Sequence, residues 1–231
     1  MTRDVPVDRK AHWDDVYRRN PPTRLSWYQA EASVSSRLIQ RVAPDRSVSI
    51  IDVGAGASVL VNDLASAGYR NLTVLEVSGE ALAYSRAHLT RDDIAVHWIN
   101  ADVLSASLPD MSFDVWHDRA VFHFLLNPAE RERYVAQVRR ALRPGGHAIV
   151  ATFAPDGPSR CSGLDVVRYA PSGLHAEFGG EFELVAHERE EHVTPAGTMQ
   201  AFEYCVCRLS SSAVRASSTC PASAPRQTRS R

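Results

Sequence analysis

Lysine is nearly absent. Lys10 is the single lysine among 26 basic residues of a 231-residue chain, the others being arginine. The skew is that of a GC-rich coding sequence and receives no functional assignment. Cysteine is sparse, at 4 (Cys161, Cys205, Cys207, Cys220), and none stands in a C-x2-C pair. Cys205 and Cys207 lie two apart in a β-like run, where side chains share a face, but no second pair of nearby ligands completes a metal site. Free thiols in a reducing compartment are expected, and no metal. No stretch approaches the roughly 18 consecutive apolar residues of a membrane helix. Met1-Thr2-Arg3-Asp4 leads into a charged, tryptophan-containing segment where a secretory leader would be apolar. The expectation is a cytoplasmic protein with no membrane partner. An excess of either charge is lacking too. The 26 basic residues against 27 acidic ones leave −1, which removes the electrostatic case for a dedicated nucleic-acid binder.

What is present is an ordinary globular composition, 44% hydrophobic and 23% charged, on a length that suits one α/β domain with a tail. Residues 210–231 are rich in Ser, Ala, Pro and Arg, with Arg215, Arg226, Arg229 and Arg231 and no acid. Such text cannot offset its ordering entropy and predicts a disordered tail. Upstream, apolar runs alternate with helical patterns. The predicted strands are Ser47–Val53, Leu72–Val77, Ile94–Ile99, Phe113–Trp116 and His147–Phe153. Predicted helices follow the first strand up to Gly68 and cover Glu80–Leu89 and Glu130–Leu142, the last ended by Arg143-Pro144-Gly145-Gly146. That rhythm argues a parallel sheet covered on both faces. It breaks at Phe182–His192 and Thr198–Leu209, two long β-like runs around Val193-Thr194-Pro195-Ala196-Gly197, which predict an antiparallel hairpin at one side of the sheet. Residues 1–44 form an N-terminal helical and aromatic cap, with Trp13/Tyr17 and Trp27/Tyr28 ahead of a helix at Glu31–Val42; residues 45–209 form the main domain.

The first strand stops at Asp52-Val53-Gly54-Ala55-Gly56-Ala57-Ser58. Glycine permits positive φ and lets a ligand approach the backbone, and a strand-to-helix position is the context of a nucleotide-type site. The third glycine of a pyrophosphate loop is missing, since Val59 stands at its place. The loop alone leaves a dinucleotide and another adenosine ligand equally open. Twenty residues past Gly56, the second strand ends in Leu75-Glu76-Val77-Ser78, where a carboxylate can accept both ribose hydroxyls. The third ends in Asn100-Ala101-Asp102-Val103. Ligands of open α/β sheets bind at carboxyl strand ends, so these three ends support one another.

The order DVGAG, LEVS, NAD, FDVWHDRAVFHF and LRPGG resembles class I S-adenosylmethionine-dependent methyltransferases over residues 45–155. The resemblance implies a Rossmann-like three-layer sandwich, with a seven-stranded, mostly parallel sheet and an antiparallel C-terminal hairpin. It implies S-adenosylmethionine as cofactor, with Gly54 and Gly56 along its methionine part and Asp52 supporting the loop. Glu76 and Val77 would serve the ribose, and Ala101, Asp102 and Val103 the adenine; Asp118 would lie beside the sulfonium. The segment HWDDVYRRNPPTRLSWYQ is similar to a branch holding thiopurine-type, small-molecule and protein-lysine methyltransferases, in which aromatics such as Trp27 cap the cofactor.

His117, Asp118 and His123 are the candidates for taking a proton from the acceptor. Tyr28, Arg119, Cys161 and Arg168 are candidates for touching it, with Cys161 in a Gly/Pro-rich loop that could gate the crevice. Structural roles compete for each: an ion pair for Arg119, core packing for His123 and Cys161, a surface position for Arg168. A small-molecule acceptor is favoured over a protein lysine. An NAD-type oxidoreductase and a non-catalytic ligand sensor stand as the alternatives.

Overall fold

The computed structural model describes residues 8–91 and 93–211. The tail from 212 onward, with Cys220, lies outside them. The chain runs α1 (Arg9–Arg19), α2 (Ser33–Val42), β1 (Ser49–Val53), α3 (Leu60–Ser66), β2 (Asn71–Glu76), α4 (Gly79–Ala87), β3 (Val96–Asn100) and β4 (Phe113–Arg119). It continues through α5 (Pro128–Ala141), β5 (Leu142–Phe153), β6 (Arg160–Cys161), β7 (Leu164–Asp165), α6 (Pro171–Phe178), β8 (Phe182–Val193) and β9 (Met199–Leu209). Seven strands form one sheet in the order β3-β2-β1-β4-β5-β9-β8, and β6 and β7 make a separate short hairpin. Strands β1 to β5 pair in parallel, while β9 runs antiparallel to both β5 and β8.

β1 is flanked by β2 and β4 and covered on both faces, so past Ser49 it reads as an apolar run interrupted by Asp52. Its pleat divides the core. Ile51 and Val53 pack toward α5 and α6 with Trp116, Val138 and Leu174. Ile50 packs toward α2 and α3 with Leu38, Leu64 and Val115. The same alternation puts Phe202, Tyr204 and Val206 of β9 on the α2 side, and Cys205 and Cys207 together on the α5 side. Local chemistry fixes the helix starts. Ser78 caps α4 through Ala81 N, and Asn127 caps α5 through Ala129 N, with Pro128 at the first helical position. Tyr134, Val138 and Ala141 give α5 its buried stripe.

Two strand boundaries differ from the sequence expectation by three residues or more. β4 continues through His117, Asp118 and Arg119, because its neighbours keep pairing with it: Asp118 stands opposite Val53 and Val150, and Arg119 opposite Ala151. The LRPGG segment is the irregular start of β5. Leu142 pairs with Phe113, the register then shifts, and Gly145 takes φ 81°. α6 and the β6–β7 hairpin had no counterpart in the sequence reading.

Candidate active site

The carboxyl ends of β1, β2, β3 and β4 are in register, with Val53 beside Leu75 and Asp118, and Glu76 beside Asn100. Gly54 and Gly56 turn the chain there at φ 60° and 56°. A Cβ on Gly54 would stand 1.9 Å from Val121 Cγ2, and one on Gly56 would stand 2.2 Å from the Tyr17 hydroxyl. Both positions therefore require glycine on conformation and on space. An acidic residue at 54 would meet the Val121 side chain.

Two lobes open on either side of this turn. The first is lined by Gly54, Glu76, Val77, Ala101, Asp102 and Val103 from the sheet, and by Arg9, Trp13, Tyr17 and Trp27 from the cap; Arg119, Phe124 and Cys161 complete it. Glu76 is buried. Its Oε2 accepts from Gly56 N (2.7 Å) and its Oε1 from Ser78 N (2.8 Å). Burial outweighs these bonds and pushes its carboxyl up to about 7. Asp102 accepts from Leu104 N (2.8 Å), and Arg9 spans from it (3.5 Å) to Glu130 (2.6 Å), which pins α1 across the β3 end. The roof is aromatic. Trp13 meets Trp27 and Phe124 edge-on at 5.7 and 5.2 Å between ring centroids, and Tyr17 meets Trp27 at 6.2 Å.

The second lobe lies on the α2 side and is lined by Ser35, Asp52, Ala55, Ser58, His117 and Arg119, with Tyr28 and Gln29 at its rim. Asp52 and His117 are register partners on adjacent strands and project to the same face. Asp52 Oδ1 bonds His117 Nδ1 (2.7 Å), and His117 Nε2 bonds Ser35 Oγ (2.9 Å). Asp52 Oδ2 is buried without a partner. Arg119 stands between the lobes. Its Nε donates to Tyr204 Oη (3.0 Å), Nε and Nη2 reach Glu190 Oε2 (3.3 Å each), and Nη1 reaches Trp27 O (3.3 Å). Its guanidinium also lies 4.1 Å from the Phe202 ring centroid.

Of the expected site residues, Trp27, Gly54, Glu76, Val77, Ala101, Asp102, Val103, Arg119 and Cys161 line the first lobe, and Tyr28, Asp52 and His117 line the second. Gly56 is the turn between them. Three expected residues are not brought there. Asp118 alternates with His117 and Arg119 and so faces α5, where Val121 N (2.9 Å), Phe122 N (3.1 Å) and the Tyr134 hydroxyl occupy its oxygens. Burial raises it to about 6. His123 is wholly buried beside Phe124 and Phe153, accepts from Phe153 N (3.4 Å), and is lowered to about 3 by desolvation, so it is a neutral core residue. Arg168 is exposed and donates to Gly157 O (3.2 Å). Burial pushes the Cys161 thiol up to about 11, which leaves it protonated at neutral pH. The sequence reading missed Arg9, Phe124, Ser35 and the role of Glu190. All reach the site across long sequence separations and no local pattern marks them.

A mostly parallel seven-stranded sheet whose penultimate position holds a reversed strand, with glycine and acidic residues at the ends of β1 to β3, defines a Rossmann-like methyltransferase fold. Residues 50–146 match a family profile described as a methyltransferase domain. Those residues carry a methyltransferase domain, in a chain that has the fold of class I S-adenosylmethionine-dependent methyltransferases. Among curated proteins it is similar to EEF1A lysine methyltransferase 2 of Danio rerio, 28% identical over 196 residues, which are 74% of this chain and 81% of that protein. It is similar also to the ubiquinone biosynthesis O-methyltransferase of Ralstonia nicotianae, 28% identical over 191 residues, 79% and 73% of the two chains. Among solved structures, the N-methyltransferase NodS of Bradyrhizobium japonicum bound to S-adenosyl-L-homocysteine shares the fold, with a TM-score of 0.65 and 16% identity over 86% of this chain and 98% of that one. No helix among the described residues is long and apolar enough to cross a membrane. No group of three or more His, Cys, Asp or Glu among them is placed to hold a metal ion.

Proposed function

We propose that this enzyme moves the methyl group of S-adenosylmethionine to a small-molecule acceptor bound under the aromatic roof, at the two lobes just described. The residues fit that cofactor chemically. Glu76 presents a carboxylate for ribose hydroxyls, and Ala101, Asp102 and Val103 flank the adenine position. The unpartnered, buried Asp52 Oδ2 suits the ammonium group of the methionine end, and the Arg119 guanidinium suits its carboxylate. That orphaned oxygen, beside a fixed cation and a glycine turn, is the observation that carries the reading. A buried carboxylate oxygen without a donor is costly unless a ligand supplies one.

Bound there, S-adenosylmethionine supplies an electrophilic methyl group on a sulfonium. The protein's part is to orient and to exclude water. Trp13, Trp27 and Phe124 turn ring faces and edges to the lobe and favour a cation next to them. None of the residues expected to take a proton presents a free basic atom. Asp118 and His123 are turned away, and both ring nitrogens of His117 are engaged. Transfer therefore rests on proximity and in-line placement, with the acceptor's proton released to solvent.

A small-molecule acceptor is supported by the roof, which draws on α1, the 25–28 segment and the β6–β7 hairpin, and by the O-methyltransferase relative. The lysine methyltransferase relative keeps a protein lysine as the second reading. Near-neutral charge gives no ground for a nucleic acid. The test is calorimetric titration with S-adenosylmethionine, S-adenosylhomocysteine and NAD, followed by turnover assays on thiols, amines, hydroxyl compounds and metalloids, then on lysine peptides. Binding of both adenosyl ligands but not NAD, and turnover of a small acceptor, is expected. NAD binding alone would overturn the cofactor; turnover of peptides alone would overturn the acceptor class.

A further inference from the structure

The Tyr204 hydroxyl is the node of a buried polar chain that runs from one proposed cofactor anchor to the other. It accepts from Arg119 Nε (3.0 Å), and its one proton has two acceptors in reach, Glu190 Oε2 (3.0 Å) and Ser35 Oγ (3.3 Å). Ser35 leads to His117 Nε2 (2.9 Å), and His117 Nδ1 leads to Asp52 Oδ1 (2.7 Å). One set of protons links the whole chain: Tyr204 O–H to Ser35 Oγ, Ser35 O–H to His117 Nε2, His117 Nδ1–H to Asp52 and Arg119 Nε–H to Tyr204, with Arg119 Nη2–H serving Glu190. Ser35, Asp52, His117 and Tyr204 are all buried, so water cannot substitute for a missing member without cost.

We infer that Tyr204 is a positioning residue for cofactor binding, tying the Arg119 guanidinium and the Asp52 carboxylate into one frame that recognises the amino-acid end of the ligand. The inference rests on the reading proposed above. Arg119 is a long side chain with several rotamers, and a guanidinium held at Nε by Tyr204 and Glu190 and at Nη1 by Trp27 O is fixed in place with a second N–H on each terminal nitrogen left for a ligand. Asp52 is held by one oxygen so that the other stays free. β9 supplies the fixed point, with Tyr204 wholly buried and paired opposite Ala151 of β5 and Glu188 of β8. The terminal hairpin, which carries no expected cofactor residue, thereby sets affinity for the methionine end alone.

The experiment compares S-adenosylhomocysteine with 5′-methylthioadenosine, which keeps the adenosine and lacks the amino acid, by calorimetry on the full chain. Tyr204→Phe removes one hydroxyl and no charge. It is expected to weaken S-adenosylhomocysteine binding by about tenfold, the order of one hydrogen bond to a charged group, and to change methylthioadenosine binding less than about twofold. Ser35→Ala breaks only the branch toward Asp52 and is expected to show the same selectivity with a smaller loss; it carries the test if the tyrosine variant does not fold. An equal loss for both ligands would make the chain merely structural and overturn the inference, as would unchanged S-adenosylhomocysteine affinity. Wild-type protein that binds neither ligand would instead overturn the underlying cofactor reading.

Discussion

Glu76 shows how far a single side chain can be read before its surroundings are known. Its place at the end of a strand, twenty residues past a glycine turn, is legible because a parallel strand announces itself by an apolar run and stops where the polarity returns. Its protonation is not legible, since that depends on burial contributed by the cap. With its folded value at about 7 against an ordinary 4.5, the group favours the free protein below pH 4.5 and withdraws that stability as pH rises through 7. Ribose hydroxyls bind the ionised form, so ligand affinity runs the opposite way. Affinity for S-adenosylhomocysteine is expected to rise between pH 6 and 8, approaching about tenfold per unit below the transition, and Glu76→Gln is expected to flatten the curve; calorimetry across that range checks both. His117, Asp118 and Arg119 give the opposite lesson. Three consecutive residues past the predicted strand end are each candidates for the site, His117 and Asp118 to take a proton and Arg119 to touch the acceptor, but the strand runs on through them and its pleat sends the middle one to the other face.

At the scale of elements, β4 and α5 are joined by a polar cluster inside an apolar core. Trp116 Nε1 donates to the Tyr134 hydroxyl (2.9 Å), which donates to Asp118, and Asp118 holds the amides that open the turn at Phe122–Phe124. Asp118→Asn sets an amide N–H against donors in a wholly buried site. The expected cost is about 2–3 kcal/mol, or roughly 5–10 °C in Tm for a chain of this size, with S-adenosylhomocysteine affinity of the folded protein nearly unchanged. Thermal melting and titration together check this, and a collapse of affinity at unchanged Tm would return Asp118 to the active site. The strands and most helices were legible because their periodicity is local. α6 was not, because its eight residues show only Leu174 and Phe178 to the core, too short a pattern to register.

In the whole molecule, the cap at the start of the described chain closes over strand ends supplied by its middle. α1 is fastened by Arg9 to Asp102 and Glu130, by Asp14 to Ser78, and by Arg18 to Glu80, so charged groups hold the roof down around its aromatic middle. Partly exposed ion pairs weaken with salt. The S-adenosylhomocysteine dissociation rate, followed by stopped flow, is therefore expected to rise several-fold between about 50 and 500 mM salt; a flat response would mean that release does not require the roof to lift. This long-range assembly is what sequence could not supply, since Arg9 and Asp102 are 93 residues apart and Ser35 and Tyr204 are 169 apart. The position of β9 between β5 and β8 has one more consequence. A chain emerging from the ribosome N-terminus first exposes its glycine turn and Arg119 long before the strand bearing Tyr204 exists. In a growing polypeptide the frame around the methionine end of the ligand is therefore complete only once β9 has slotted between β5 and β8.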